Sequence, residues 1–142
     1  MPRGFIKDVN DLTDRMVIEM FPGKVWNETW WNDGSYYKSL YSFGFLWEFI
    51  WEVEPKAGEF DDTRLDRTQC VKLRRIFKQL HIWVGMTDTH AKLHRVIREE
   101  RFDANKQYFK RNRQEVLAMI ADFIEIIDVA LDGEGYLWIL GC

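Results

Sequence analysis

The sequence has few of the residues that would mark a disulfide-rich, collagen-like or membrane-spanning protein. Its 142 residues include 2 cysteines, 3 prolines and 9 glycines, and two cysteines are too few for a disulfide framework. No apolar run approaches the roughly 18–20 residues that span a bilayer. The first eight residues lack the apolar stretch of a secretory signal, so the sequence predicts a cytoplasmic protein that does not contact a membrane.

Short motifs that carry common catalytic chemistry are also missing. There is no glycine-rich phosphate loop, no Gly-x-Ser-x-Gly elbow and no motif that would activate a cysteine thiol. Cys70 falls on the apolar face of a predicted helix and Cys142 is the last residue, so both are expected to be reduced. An enzyme is therefore unsupported although not excluded, and no cofactor is predicted.

What the sequence does contain is enough apolar material for a core. It is 46% hydrophobic and 15% aromatic, and a chain of this length forms one ordinary globular domain. Since no composition break resembles a linker, residues 1–142 are predicted to form a single domain.

The charge is strongly patterned along the chain. Residues 1–62 carry 6 basic and 12 acidic side chains, residues 63–113 carry 14 and 5, and residues 114–142 carry 0 and 6. The formal net charge of −3 therefore conceals a basic middle between two acidic ends. A partner responds to such local fields more than to the total charge.

Aromatic residues are concentrated in the first acidic block, where 11 of the 22 lie between Trp26 and Trp51. Tryptophan and tyrosine side chains that remain exposed among charged residues are typical anchors of protein interfaces, although an aromatic-rich core explains them equally well. The predicted partner-binding residues are Trp26, Trp30, Trp31, Tyr36 and Tyr37.

The basic middle suggests a different ligand. Cations along residues 92–113 could bind the phosphates of nucleic acid or of an anionic nucleotide, but the acidic sequence pI of about 5.6 is unusual for a dedicated nucleic-acid binder. The residues of this alternative are Arg95, Arg98, Lys110, Arg111 and Arg113.

His90 and His94 are spaced so that both could ligate one metal ion from the same helix face. The residues between them include no glutamate to act as a general base, and Lys92 beside them repels a cation. No metal site is therefore assigned, and a metal-dependent enzyme is the third and weakest hypothesis.

Hydrophobic periodicity predicts mainly helical structure. A first helix is expected over residues 8–21 and another from Thr63 to Val84, where Leu73, Phe77 and Leu80 follow helical spacing. A shorter helix is expected from residue 87 or 88 to about 102. The last helix, capped by Asn112 and ending before Gly133, has the clearest stripe.

The aromatic segment is ambiguous. Helical spacing favours a helix over residues 36–53, while alternating aromatics favour a strand. The sequence thus predicts a mainly α, compact bundle of about four to five helices. The alternative is an α+β fold with a small antiparallel sheet built from residues 24–31, 43–53 and 136–140.

Together these features predict a non-enzymatic interaction protein that docks on a protein partner or on itself through the aromatic segment and a polarised charged surface. An accessory protein of a virus or mobile element that modulates a host complex would have this character. Binding of nucleic acid or nucleotides is the alternative.

Overall fold

The computed structural model describes residues 17–24, 34–39, 46–58, 62–85 and 112–141. These residues form four strands and three helices. In chain order they are β1 (Val17–Phe21), β2 (Tyr36–Ser39), α1 (Leu46–Ile50), β3 (Asp62–Leu65), α2 (Arg67–Gly85), α3 (Arg113–Asp132) and β4 (Leu137–Leu140).

The strands form one antiparallel sheet in the order β2-β1-β4-β3. Glu19 of β1 is paired with Tyr37 of β2 on one side and with Leu140 of β4 on the other. Arg64 of β3 is paired with Trp138 of β4. β1 and β4 are therefore the two central strands, although they lie near opposite ends of the sequence.

One face of this sheet carries the main core. Side chains alternate between the two faces of a strand, and Ile18, Met20, Leu137 and Ile139 belong to the same buried cluster as the apolar stripes of α2 and α3. The helices therefore cover this face. Val17 and Glu19 of β1 point to the opposite face and are also buried, at 2% and 0% exposure.

The predicted first helix is wrong for residues 17–21, which form strand β1. Four of its five residues are buried because it is hydrogen-bonded to β2 and β4 and covered on both faces. A strand buried on both faces shows no clean alternation of apolar and polar residues. The remainder of that prediction lies outside the described residues, as does the helix predicted from residue 87 or 88 to about 102.

The predicted helix from Thr63 begins too early, because residues 62–65 form β3 with alternating exposed and buried side chains. Helix α2 begins only after Asp66. The Asp66 carboxylate accepts a hydrogen bond from the Gln69 backbone N–H at 2.9 Å, and the Asp66 N–H donates to the Gln69 side-chain oxygen at 2.9 Å. This reciprocal capping box fixes the start of the helix.

The aromatic segment divides into different elements, so a continuous helix over 36–53 is wrong. Tyr36–Ser39 is a strand and Leu46–Ile50 is a short helix followed by turns. In one of these turns the Trp51 indole N–H donates to the carbonyl of Ala57 at 2.7 Å. Of the sheet segments in the alternative prediction, 136–140 does supply a strand and 46–53 does not, while 25–31 and 43–45 lie outside the described residues.

The last helix is confirmed as α3, with Asn112 at its N-cap position, although the Asn112 side chain makes no capping hydrogen bond. Its far end is closed by the Gly135 N–H, which donates to the Ala130 carbonyl at 2.7 Å. Gly135 has φ +84°, and a Cβ there would meet the Arg67 guanidinium at 2.8–2.9 Å. Glycine is therefore required where the chain turns into β4.

The predicted helical bundle is wrong as a fold class, because the described residues combine three helices with a four-stranded antiparallel sheet. The α+β alternative is partly correct, since it contained a small antiparallel sheet and one of its strands. Sheet pairing occurs between segments far apart in sequence, and each strand is only four or five residues long. Local periodicity carries little information on such strands.

Phe77 of α2 is the central side chain of the core. Its ring lies 4.6 Å from the ring of Phe123 in α3 and 6.2 Å from the ring of Phe49 in α1. All three side chains are fully buried. One phenylalanine thus joins the three helices.

Replacing Phe77 with alanine leaves a cavity between three helices, which cannot all move inwards to fill it. The free energy of unfolding should therefore fall by about 3–5 kcal/mol. Urea unfolding followed by circular dichroism measures this value. Val71→Ala on the exposed side of the same helix is the control and should stay within about 0.5 kcal/mol of wild type. Equal losses in the two variants would contradict the assignment of this core.

Candidate protein-docking face

Helices α2 and α3 lie side by side and antiparallel. Near the start of α2, the Arg67 guanidinium donates to the Leu131 carbonyl at 3.2 Å, close to the end of α3. About two turns further along α2, Arg74 forms an ion pair with Asp128 at 2.6 Å. Towards the end of α2, Ile82 lines the same groove as Ala121 of α3. Residue numbers therefore rise along α2 as they fall along α3.

The two helices carry opposite charge. Within its 19 residues α2 has five basic side chains and no acidic one, whereas the 20 residues of α3 include five acidic side chains and one basic one. The basic members are Arg67, Lys72, Arg74, Arg75 and Lys78, and the acidic members are Glu115, Asp122, Glu125, Asp128 and Asp132. The fold therefore places a basic helix directly against an acidic one.

Between them, on the solvent side, runs an open groove of about 320 Å³. It is lined by Lys78, His81, Ile82, Ala121 and Ile124. Ile82 is 54% exposed although it is a large apolar residue. An apolar groove rimmed by charged residues is typical of a protein-binding surface.

The exposed side of α2 and α3 around this groove is called the two-helix face. Spacings of three and four residues place its members on one side of each helix. They are Val71, Arg75, Lys78 and Ile82 of α2 and Ala121, Glu125 and Val129 of α3. Val71 and Val129 are 55% and 45% exposed, so this face also carries the other two exposed large apolar residues of the described chain.

Much of the charge on this face is not neutralised within the described residues. Arg74 and Asp128 form the ion pair already noted, and both are partly buried. Lys72 donates instead to the backbone carbonyl of Glu52 at 3.3 Å. Lys78 and Glu125 have no ion-pair partner in the described part of the chain, so a partner that supplied opposite charges would find them available.

A second polar feature lies on the opposite face of the sheet. Glu19, which is 0% exposed, accepts a hydrogen bond from the Ser35 hydroxyl at 2.5 Å. Tyr37 and Leu140, its cross-strand neighbours, are buried as well. A buried carboxylate must be hydrogen-bonded, because desolvation without a partner is costly. The pair therefore holds the start of β2 against β1, a structural role.

Lys38 of β2 points towards the helix side of the sheet, since it pairs with core residue Ile18. Burial lowers the pKa of Lys38, because the charged ammonium loses water. The carboxylates of Glu115 and Asp122 on α3 act in the opposite direction and raise this pKa, without cancelling the effect of burial.

Cys70 is buried on the core side of α2, as the apolar pattern predicts, and it is a free thiol. Burial and the nearby Asp66 carboxylate raise its pKa to about 12, against a smaller opposing effect of Arg67. A thiol that stays protonated near neutral pH is a poor nucleophile. Cys70 therefore acts as a small core residue.

Of the aromatic residues predicted to bind a partner, two are described. Tyr37 is only 3% exposed, and Tyr36 is partly buried against the core cluster. Tyr37 therefore offers a partner little surface, whereas part of Tyr36 remains exposed. Trp26, Trp30 and Trp31 lie outside the described residues, so their role stays a prediction.

Most residues of the two alternative sites also lie outside the described part of the chain. This applies to His90, His94, Arg95 and Arg98, and to Lys110 and Arg111. Arg113 is described as the first residue of α3, where it is partly buried. It is the one basic residue of this helix, and its role in binding an anion stays a prediction.

Within the described residues, no group of three or more histidine, cysteine, aspartate or glutamate side chains is placed to hold a metal ion. The same part of the chain contains no helix that is both long and apolar enough to cross a membrane. Comparisons with protein-family models, curated proteins and solved structures find no match for this chain.

The two-helix face was missed as a site by the sequence analysis, although its signals are in the sequence. The charges of both helices are readable, but not their contact. Ile82 interrupts the polar side of α2, but a single apolar residue on a protein surface is common and does not by itself indicate a binding site. Only the packing of α2 on α3 brings Ile82 and Ala121 into the lining of one groove.

Removing the Ser35 hydroxyl tests the buried polar pair. Ser35→Ala should lower the free energy of unfolding by about 1–3 kcal/mol, because the Glu19 carboxylate stays buried while losing a hydrogen bond. Thr68→Ala, which removes an exposed hydroxyl, should change it by no more than about 0.5 kcal/mol. Equal values in urea unfolding would show that the hydrogen bond contributes nothing.

Lys38 gives a pH-dependent prediction. Because its folded-state pKa lies below the ordinary value of 10.5, the unfolded chain binds more protons between these two values. Stability should therefore rise with pH across this window in the wild type relative to Lys38→Met. Urea unfolding of both proteins at several pH values up to about 10.5 measures the difference. A difference that stays constant or reverses would contradict the burial of Lys38.

Proposed function

We propose that this chain is a protein-interaction module that docks on its partner through the two-helix face. The observation that carries the proposal is the groove between α2 and α3, which is lined by the apolar side chains of Ile82, Ala121 and Ile124 with Lys78 and His81 beside them. Apolar contacts give such an interface its affinity, and the charged residues of the surrounding face set the orientation of the partner.

The pattern of the face specifies a complementary surface. The partner needs an apolar stripe to cover Ile82 and Ile124, with acidic groups on the side that meets α2 and basic groups on the side that meets α3. A helical surface offers such stripes at spacings of three and four residues. A protein partner is thereby favoured over a small ligand.

Nucleic acid fits this face poorly. The axes of packed helices lie about 8–10 Å apart, close to the distance over which charges act at physiological salt, about 8 Å. A phosphate backbone bound along α2 would therefore meet the carboxylates of α3. Binding of nucleic acid or nucleotides through residues 92–113 stays a separate prediction, because it rests on residues that the structure does not describe.

Site-specific photo-crosslinking tests the proposal. A photoreactive phenylalanine analogue at position 82 should give a covalent protein adduct in cells that produce the chain, because Ile82 lies in the groove. The same analogue at Lys56, an exposed turn position outside the face, is the control and should give no matching adduct. The mass of the adduct identifies the partner.

Ile82→Asp, combined with the photoreactive group at Lys78, one helical turn away in the same groove, should remove the adduct, because a carboxylate would be buried in the groove. Lys56→Asp introduces a carboxylate at an exposed turn position off the face and should leave the adduct in place. Absence of any adduct at both 82 and 78, or an adduct that survives Ile82→Asp, would overturn the proposal.

A further inference from the structure

We infer that the partner of the two-helix face is a second copy of this chain, related by a two-fold axis that runs parallel to α2 and α3. The inference rests on the proposed function and names its partner. Three observations carry it: the opposite charges of the two helices, the matching heights of their exposed residues, and the size of the face.

The charges select the arrangement. A two-fold axis parallel to the helices, in the plane of contact, places α2 of each copy on α3 of the other. A two-fold axis perpendicular to them in that plane would place α2 on α2 and α3 on α3. On the two-helix face α2 presents Arg75 and Lys78 and α3 presents Glu125, so the perpendicular arrangement sets like charge on like charge. The parallel arrangement matches opposite charges twice.

The positions of the side chains along the helix axes also agree with this arrangement. A rotation about an axis parallel to the helices does not change the position of any residue along the helix axes. Residues that are neighbours across the groove within one copy therefore face each other between copies as well. Ile82 of one copy comes over Ala121 of the other, so a large exposed side chain meets a small one. This is complementary packing of a large residue onto a small one.

The same geometry provides ion-pair partners. Lys78 lines the groove, and Glu125 follows groove residue Ile124. Both lack an ion-pair partner in the described part of the chain. In the dimer Lys78 of one copy approaches Glu125 of the other, and the symmetry repeats the contact. In a two-fold symmetric interface, each contact between two different residues occurs twice.

The size of the face indicates a reversible dimer. A helix of 19 residues is roughly 28 Å long, and two packed helices present a width of roughly 20 Å. The face would then bury roughly 550 Å² per copy, or about 1,100 Å² in total, which is at the lower limit of stable protein interfaces. Association should therefore depend on protein concentration.

Sedimentation velocity over a range of concentrations tests the dimer. The wild type should pass from monomer to dimer as concentration rises. Lys78→Glu and Glu125→Lys, each alone, should raise the dissociation constant by about tenfold or more, because each places like charges together at two symmetric contacts. Lys56→Glu, the same exchange at an exposed position off the face, should dimerise like the wild type.

Mixing the two charge-reversed variants is the decisive step. In a mixed dimer the altered α2 of the Lys78→Glu chain meets the altered α3 of the Glu125→Lys chain, while the two unchanged helices also meet. Both contacts then pair opposite charges, so an equimolar mixture should recover dimer to near the wild-type level. Contacts within one chain cannot produce this recovery, because each variant chain still carries the same charge at positions 78 and 125.

The outcomes separate the two proposals. The wild type could stay monomeric at all concentrations while position 82 still crosslinks to a different protein. This result would overturn the proposal that the partner is a second copy, but not the proposal that the two-helix face docks on a protein. Single variants that dimerise like the wild type, or a mixture that shows no recovery, would overturn the parallel two-fold arrangement. Circular dichroism of each variant confirms that loss of dimer is not loss of folding.

Discussion

The structure depends on the burial of two apolar helix stripes against one face of a single sheet. Phe77 and Phe123, whose rings are 4.6 Å apart, join α2 to α3 at the centre of this layer. Because the stripes must both face the sheet, the helices have to lie side by side with their polar sides towards solvent. The charged surface is a consequence of this packing.

Side-by-side packing turns a charge pattern along the sequence into a charge pattern across a surface. The basic residues of α2 and the acidic residues of α3 belong to blocks that are separate in the chain, yet they share one face of the fold. Their contact at Arg74 and Asp128 joins the helices at one point. Farther out, Lys78 lines an apolar groove, and Glu125 lies on the exposed side of α3 next to groove residue Ile124.

The sequence allowed the long helices to be predicted better than the sheet. The stripe of α3 runs through twenty residues, so its period is unmistakable, and its bounds were predicted within a residue or two. The strands are short, and β1 is covered on both faces, so it shows no alternation. The pairing of β1 with β4 links residues more than a hundred positions apart, and no local pattern reports such a contact.

The candidate site was predictable in its charges but not in its location. A basic middle and an acidic end are visible in the composition, and the question of where the basic residues find counter-charge follows from it. Which acidic residues lie near the basic ones becomes visible only from the antiparallel contact of α2 and α3. Tyr37 shows the same limit, because this strand residue pairs with Glu19 across the sheet and is buried. Burial depends on tertiary packing, which composition does not contain.

The central claim is that the opposite charges of α2 and α3 are matched between two copies of the chain. Sedimentation equilibrium at low and high salt tests it most directly, since the screening length falls from about 10 Å at 0.1 M to about 3 Å at 1 M. The dissociation constant of the dimer should rise as salt is added. A dimer that is unaffected or strengthened by salt would contradict it, because apolar contact alone would then hold the copies together.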